Sequence, residues 1–306
     1  MTTALKHIIE RMEFFGFPFS VETSLIPTDD TTLFVCSGMQ NLKERFRQHD
    51  GGRKSTLQSC IRTNDLSLVG DGTHLTYFEM LGNFSFGNND YETSIELWTA
   101  ILGDFDLIKD CVVHVHPSDW NGKRILWQHN GFEVVEDEEC LWSDGDVGGT
   151  CCEVYWKGTE MGNLVNPLKV STDVGFGWER LLMALEGKSR VDETSLFDQS
   201  LTPVQRDHVR CLGNLWLNDI QPGNKGRNYV CRRLLRRLLP FERDCPWQSW
   251  LESEHLLRVK CLERGKKMWK RHNDKSLQWW WETCGLTPED VALIHQHASN
   301  SSTSVP

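Results

Sequence analysis

"HLTYFEMLGNFSFG", residues 74–87, is the stretch on which the fold turns. Large apolar side chains crowd it, Gly82 and Gly87 punctuate it, and neither a charge run nor a helical period crosses it. Its apolar positions are too dense for a surface strand. Its polar ones, His74, Thr76, Glu79 and Asn83, are too many for a strand that only fills a core. Upstream, "LQSCIRTNDL" (57–66) has the same strand character, and the intervening "SLVGDGT" is polar and carries glycines. The two form a strand–loop–strand unit.

Outward from that unit, apolar residues at helical spacing over 4–15 (Leu5, Ile8, Ile9, Met12, Phe15) predict an amphipathic first helix. "TTLFVCSG" (31–38) reads as a buried strand and "MQNLKERF" as a short helix after it. A helix is expected at about 91–102, then strands in "CVVHVHP", "GFEVVEDEECLW", "TCCEVYW" and "NLVNPLKVSTDVG", then a helix in "WERLLMALEG". Strands without regular intervening helices point to an α+β fold with an antiparallel sheet flanked by helices. From about residue 196 the period turns helical, so the expected domains are 1–195, carrying the sheet, and 196–306, helical with a disordered tail "HASNSSTSVP".

The 306 residues, 39% hydrophobic and 25% charged, belong to the globular class. No apolar run is long enough for a bilayer span, and the N-terminus has no signal-peptide pattern. Eleven cysteines without C-x-x-C pairs read as reduced thiols of a cytoplasmic protein. A net charge of −10 argues against nonspecific nucleic-acid binding. One run departs from that average. In "KGRNYVCRRLLRR", Lys225, Arg227, Arg232, Arg233, Arg236 and Arg237 occur with no acid among them. On a helix the last four share a face, and like charges at that spacing cost about 0.2–0.5 kcal/mol per pair. RNA phosphate is the natural partner for such a stripe; a solvated helix face is the alternative.

Two further pieces carry chemistry. Arg62, on a strand beside a polar loop, offers a planar fork suited to phosphate, although taken alone it reads more readily as a surface charge than as a ligand. In "TDVGFGWERLL", Gly175 and Gly177 let backbone approach a ligand before a helix begins. Asp173 precedes them, and Arg180 stands in the helix's first turn, where an anion is favoured. A plain glycine turn with a surface Glu179–Arg180 pair is the other reading.

Together these pieces resemble a family. "CIRTNDLSLVG" with "HLTYFEMLGNFSFG" is similar to motif 2 of the class II aminoacyl-tRNA synthetases, in the form carried by the alanyl branch. "STDVGFGWERLL" is similar to motif 3, "TTLFVCSGMQNLKERF" to the motif 1 region, and "EMGNLVN" to the E-x-W-N-x-V-F strand of the alanine pocket. "RDHVRCLGNLWLNDIQPGNKGRNYVCRRLLRRLL" resembles the start of the helical tRNA-recognition domain. The resemblance implies ATP bent over an antiparallel sheet, with Phe78 or Met80 against adenine and Glu79 among the polar contacts. It implies Arg62 at the α-phosphate, Arg180 at the γ-phosphate, and Mg²⁺ held with help from Glu153 or Glu160. It further implies Asp173 for the substrate ammonium, with Trp142, Asn163, Val165 and Gly175 lining a pocket for a methyl side chain. Arg227, Arg232, Arg233, Arg236 and Arg237 would meet RNA.

The implied activity is ATP-dependent formation of alanyl-adenylate and transfer to tRNA. The alternative is an adenylating enzyme of the same fold that passes the aminoacyl group to a small molecule or a carrier protein. A non-catalytic paralogue is a third reading, against which Arg62, Asp173 and Arg180 together speak. Departures from the family pattern stand at Thr73 (usually an arginine), Gly162 (tryptophan), Asn166 (phenylalanine) and Asn228 (glycine), and in the trimmed "GDVGGTCCE". Gly162 predicts a larger or differently shaped pocket. The sequence has no counterpart of the family's editing and C-terminal domains, so the expectation is a monomer, with a dimer possible through motif 1.

Overall fold

The computed structural model describes residues 2–302 except Asp30, Trp120, Asn121 and Asp146, and for 144, 297 and 299–302 the backbone alone. It comprises two compact units, residues 1–207 and 208–306. They divide later than the expected 195/196 boundary, within a helix.

In the first unit, helix α1 (Thr3–Phe14) buries Leu5, Ile8 and Met12, and Thr2 caps it by accepting the Leu5 N–H. Strand β1 (Phe19–Glu22) and helix α2 (Lys43–Gln48) precede β2 (Arg53–Ile61) and β3 (Tyr77–Ser85). Helix α3 (Tyr91–Asp104), β4 (Cys111–Val115), α4 (Lys123–His129), β5 (Glu133–Glu136) and β6 (Leu141–Asp144) follow. Then come β7 (Val147–Trp156), β8 (Thr159–Val165), β9 (Thr172–Gly177) and helix α5 (Trp178–Leu185). The sheet runs β1-β2-β3-β9-β8-β7-β4-β5, with β6 attached to β7. Among the described residues only β1–β2 and β4–β5 pair in parallel; the other ladders are antiparallel, the α+β architecture the sequence predicts.

Residues 31–38 are the clearest departure from the sequence reading. They form bends, tied to neighbours by single bonds from Val35 N–H to Leu25 O and from Ile61 N–H to Val35 O. Their apolar side chains, Phe34 and Val35, are buried without a ladder. Helix α4 is an element the sequence reading lacked.

One sheet face builds the core. Leu81, Val174, Phe176, Leu164 and Val154 pack there with Trp98 of α3 and with α5. Trp98 stacks on Phe176, ring centroids 3.7 Å apart. Asn83 lies on this face, its Oδ1 accepting Trp98 Nε1–H and its Nδ2–H donating to Ser94 Oγ, each at 2.8 Å. A buried amide with both ends satisfied is a core residue, which accounts for one polar position of the opening stretch.

Helix α6 (Pro203–Leu217) leads into α7 (Gly226–Leu238), α8 (Gln248–His272), α9 (Leu277–Cys284) and α10 (Pro288–Ser302). Trp280, Cys284, Leu286 and Ile294 form the core of the second unit. Ser276 caps α9, and Gly285, at φ 71°, ends it in the left-handed region that glycine tolerates. Part of the expected disordered tail is thus helical, up to Ser302; residues 303–306 lie outside the described residues. No described helix is long and apolar enough to cross a membrane.

Candidate active site

Strand alternation separates two sets of side chains in β3. Leu81 and Asn83 turn to the core, while Phe78, Met80 and Gly82 turn to the other face. The ladders extend that face sideways: Met80 pairs with Gly177, Gly82 with Gly175 and Phe84 with Asp173. Asn163 then pairs with Gly175 and Val165 with Asp173, and Glu153 with Asn163. A cleft opens on this face, lined among others by Phe78, Met80, Asn163, Gly175, Arg62 and Arg180. Backbone contributes to its lining at Gly175 and Gly177. A Cβ on Gly175 would lie 3.2 Å from Met80 Sδ, so glycine there leaves room for the Met80 side chain. Gly82 lies under the Phe84 ring, which would stand 2.7 Å from a Cβ at that position, and is not part of the lining.

Two arginines flank the floor. Arg62, exposed at the end of β2, donates from Nε to Cys36 O at 3.1 Å and lies over the Phe78 ring, 4.9 Å from its centroid. Arg180, in the first turn of α5, donates from Nη1 to Glu160 O (2.7 Å) and to the Glu160 carboxylate (3.1 Å). The two guanidiniums come from motifs more than a hundred residues apart in sequence and converge on one cleft. That convergence suits an extended polyanion held over an aromatic floor.

Not every expected residue joins them. Glu79 is turned to the face opposite Phe78 and Met80 and does not line the cleft. Its backbone N–H instead donates to the Glu179 carboxylate at 3.1 Å. Glu179, 1% exposed, is a cleft residue that the sequence reading took only as half of a surface pair. An acid two residues past the G-x-G turn was the available signal. Trp142 packs on β6 against Cys140, Cys151 and Val165, behind the cleft wall. Asp173 is 6% exposed beside Val165.

Gly162 is a lining residue of the cleft. A Cβ there would lie 2.4 Å from Gly175 O and 2.5 Å from the Phe176 ring, the ring stacked on Trp98. A side chain at 162 would thus be directed to the core, while the backbone of Gly162 itself borders the cleft. At Thr73, in place of an arginine, the loop is pinned by Asp71, which accepts the N–H groups of Thr73 (2.8 Å) and His74 (2.9 Å) and pairs with the His74 ring (2.5 Å). Burial would raise the Asp71 carboxyl, but these donors outweigh it and hold it far below the usual carboxylate range.

The arginine stripe of α7 is the second correction. Arg232 pairs with Glu254 at 2.7 Å, and Arg233 with Glu289 at 2.9 Å. Arg236, 3% exposed, bridges Glu254 (3.3 Å) and Asp290 (3.0 Å). Arg237 pairs with Glu289 at 3.2 Å. These side chains are spent on acids of α8 and α10, and Arg236 is out of reach of any RNA. Arg227 is half-buried at the start of α7.

Glu160 lines the cleft, while Glu153 stands one strand further out, its Oε2 accepting the Tyr155 hydroxyl at 2.8 Å. Burial, opposed by that hydrogen bond and helped by the charges of Glu160 and Asp137, raises the Glu153 carboxyl above its ordinary value.

Comparison with known proteins fits this geometry. The family description "tRNA synthetases class II (A)" matches residues 16–202. The chain is 30% identical over 285 residues to the alanine–tRNA ligase of Desulfitobacterium hafniense and 31% identical over 290 residues to that of Rhizobium johnstonii. Those alignments cover 72% and 73% of this chain and 33% of each relative, so the chain spans about a third of their length. The solved histidyl-tRNA synthetase of S. aureus overlays at TM-score 0.44 with 15% identity, covering 76% of this chain and 82% of that one, a distant likeness.

Proposed function

The chain belongs to the class II tRNA synthetases, and on that premise we propose that it activates alanine with ATP and transfers it to tRNA. Residues 1–195 would be the catalytic domain and 196–306 the RNA-recognition part. The observation that carries the reading is the shared face of β3, β9 and β8, with Arg62 and Arg180 at the rim of one cleft.

Phe78 and Met80 give adenine an apolar floor, and the glycines Gly175 and Gly177 let the nucleotide lie against backbone. Arg62 meets the α-phosphate and Arg180 the γ-phosphate. The amino-acid carboxylate attacks the α-phosphorus, pyrophosphate departs, and Arg62 stabilises the charge that builds on the phosphoryl oxygens. Asp173 accepts the substrate ammonium, and Val165 and Asn163 close around the methyl group. In the second step a tRNA hydroxyl attacks the acyl carbon and AMP leaves. No covalent enzyme intermediate is required; alignment and charge account for the rate.

Of the two carboxylates considered for Mg²⁺, Glu160 fits, since it is a hard oxygen donor at the cleft beside Arg180. Mg²⁺ held there with the ATP phosphates would neutralise phosphoryl charge. Glu153 does not fit, being turned among thiols.

The relatives' shared name supports tRNA as acceptor. The consumed arginine stripe removes the support the α7 run lent to it, but the relatives do not favour a small molecule or carrier protein in its place. All eleven cysteines are free, which supports the cytoplasm. Amino-acid-dependent ATP–pyrophosphate exchange across all amino acids, then charging of tRNA transcripts, tests both steps. Alanine-specific exchange with charging is expected. No exchange with any amino acid overturns the activation, and exchange without charging overturns the tRNA acceptor.

A further inference from the structure

On the outer side of the same sheet face, Cys140, Cys151 and Glu153 bring three potential ligand atoms within 4.8 Å of one another. Cys140 directly precedes β6 and Cys151 lies in β7. The Cys151 N–H donates to Cys140 O at 2.9 Å, so the backbone already fixes the pair. Both thiols are fully buried. Glu153 follows two residues on along β7, on the same face, with Oε1 3.8 Å from Cys151 Sγ. Its other oxygen is held by the Tyr155 hydroxyl, and the Tyr155 ring in turn packs on His114, centroids 4.5 Å apart.

We propose that Cys140, Cys151 and Glu153 bind a thiophilic divalent cation, zinc, which pins β6 to β7. Two thiolates and a carboxylate are the donor set that selects zinc over hard cations. Zinc bonds of about 2.3 Å to sulfur and about 2.0 Å to oxygen hold tetrahedral donors about 3.5–3.8 Å apart, so a small contraction closes the site. Tyr155 supplies the outer-shell hydrogen bond that orients a ligating carboxylate and leaves Oε1 for the metal. On binding, two metal–sulfur bonds form and the two thiol protons pass to solvent; no oxidant takes part. Three protein donors leave a fourth position for water.

The site stands behind Trp142 and Val165, which share a cluster with both cysteines. Its consequence for function, a rigid wall to the amino-acid pocket, rests on the reading proposed above. Cys152, the next residue, turns to the opposite face and packs in the main core, which makes it the natural control.

The test uses the whole reduced chain, stripped with a chelator and titrated with Zn²⁺ and Co²⁺. One equivalent of each is expected to bind. Cobalt should show tetrahedral d–d bands with sulfur-to-metal charge transfer, and X-ray absorption of the zinc form should count two sulfurs. Cys140→Ser, Cys151→Ser and Glu153→Gln should each weaken zinc binding at least by the 10–100-fold that loss of an outer-shell partner alone costs, whereas Cys152→Ser should not. Substoichiometric binding, a sulfur count other than two, equal loss in Cys152→Ser, or a resting Cys140–Cys151 disulfide overturns the proposal. The wild-type spectrum and sulfur count decide the matter even where a cysteine variant fails to fold. None of these readouts needs aminoacylation, so failure of the metal site leaves pyrophosphate exchange untouched, and failure of exchange leaves the metal site standing.

Discussion

Arg62 and Arg180 in the first unit, and Arg232, Arg233, Arg236 and Arg237 in the second, are all candidate phosphate ligands by sequence. Their surroundings separate them. The first two stand at an open cleft, Arg62 exposed and Arg180 sharing a single carboxylate partner with the solvent side. The four on α7 face Glu254, Glu289 and Asp290, and two of those acids are no more than 2% exposed. A guanidinium that must recruit a ligand and one that holds helices together are thus the same side chain with different neighbours. The like-charge cost along α7 is met within the protein, by acids from α8 and α10, and needs no nucleic acid to offset it.

The largest expected effect tests the enclosed set. Arg236→Met removes the cation shared by Glu254 and Asp290 and the donor to Gly285 O at the end of α9. Each acid keeps one arginine, Arg232 or Arg258, so the loss should sit near the lower end for a broken buried pair, about 3 kcal/mol. Denaturant unfolding followed by tryptophan fluorescence reads it, since the Trp280 core belongs to that unit. Pyrophosphate exchange below the transition should be unchanged. A stable variant with tRNA affinity cut instead would restore the RNA role of the stripe.

The cleft pair should behave in the opposite way. Arg62→Ala and Arg180→Ala are each expected to lower pyrophosphate exchange about 10²–10³-fold, the scale of one lost charge-stabilising donor. Their melting curves should stay close to that of the parent chain. Near-parental exchange in both would remove ATP from this cleft.

What could be read in sequence follows the same division. The sheet was legible because its strands are dense in apolar and β-branched residues, and the motif positions were legible because β3, β8 and β9 lie in simple antiparallel register. "TTLFVCSG" has strand composition but no ladder partner along its length, so composition misassigned it. Glu79 was placed in the site although alternation from Phe78 already turns it away. The α7 stripe was misread because its partners lie 18–56 residues away in sequence, where no local pattern reports them. Cys140 escaped notice for the same reason: only the pairing of β6 with β7 brings it to Cys151.

A smaller effect separates the two faces of the first unit. Gly162→Ala puts a Cβ against Gly175 O and the Phe176 ring, neither of which can swing aside. Overpacking of this kind costs about 1–3 kcal/mol. Amino-acid preference in pyrophosphate exchange should not move, because the added methyl points to the core although the backbone of residue 162 borders the cleft. A shift in preference without loss of stability would mean that the methyl reaches the pocket.

The smallest effect returns to the acids of the second unit. Burial would raise the Glu289 carboxyl above its ordinary 4.5, but hydrogen bonding and charge from Arg233, with charge from Arg237, outweigh burial and lower it. A carboxyl lowered on folding contributes stability that is complete above its ordinary value and is lost as pH falls through the lowered one. The second unit should therefore weaken on acidification below about pH 4.5. With its side chain 30% exposed, solvent screens the pair, and the contribution should stay under about 1 kcal/mol. Glu289→Gln should flatten that part of the stability–pH profile while leaving the neutral-pH value slightly reduced. An unaltered acid limb in the variant would mean that Glu289 is not the group being titrated, and that the enclosure of Arg233 and Arg237 rests on other contacts.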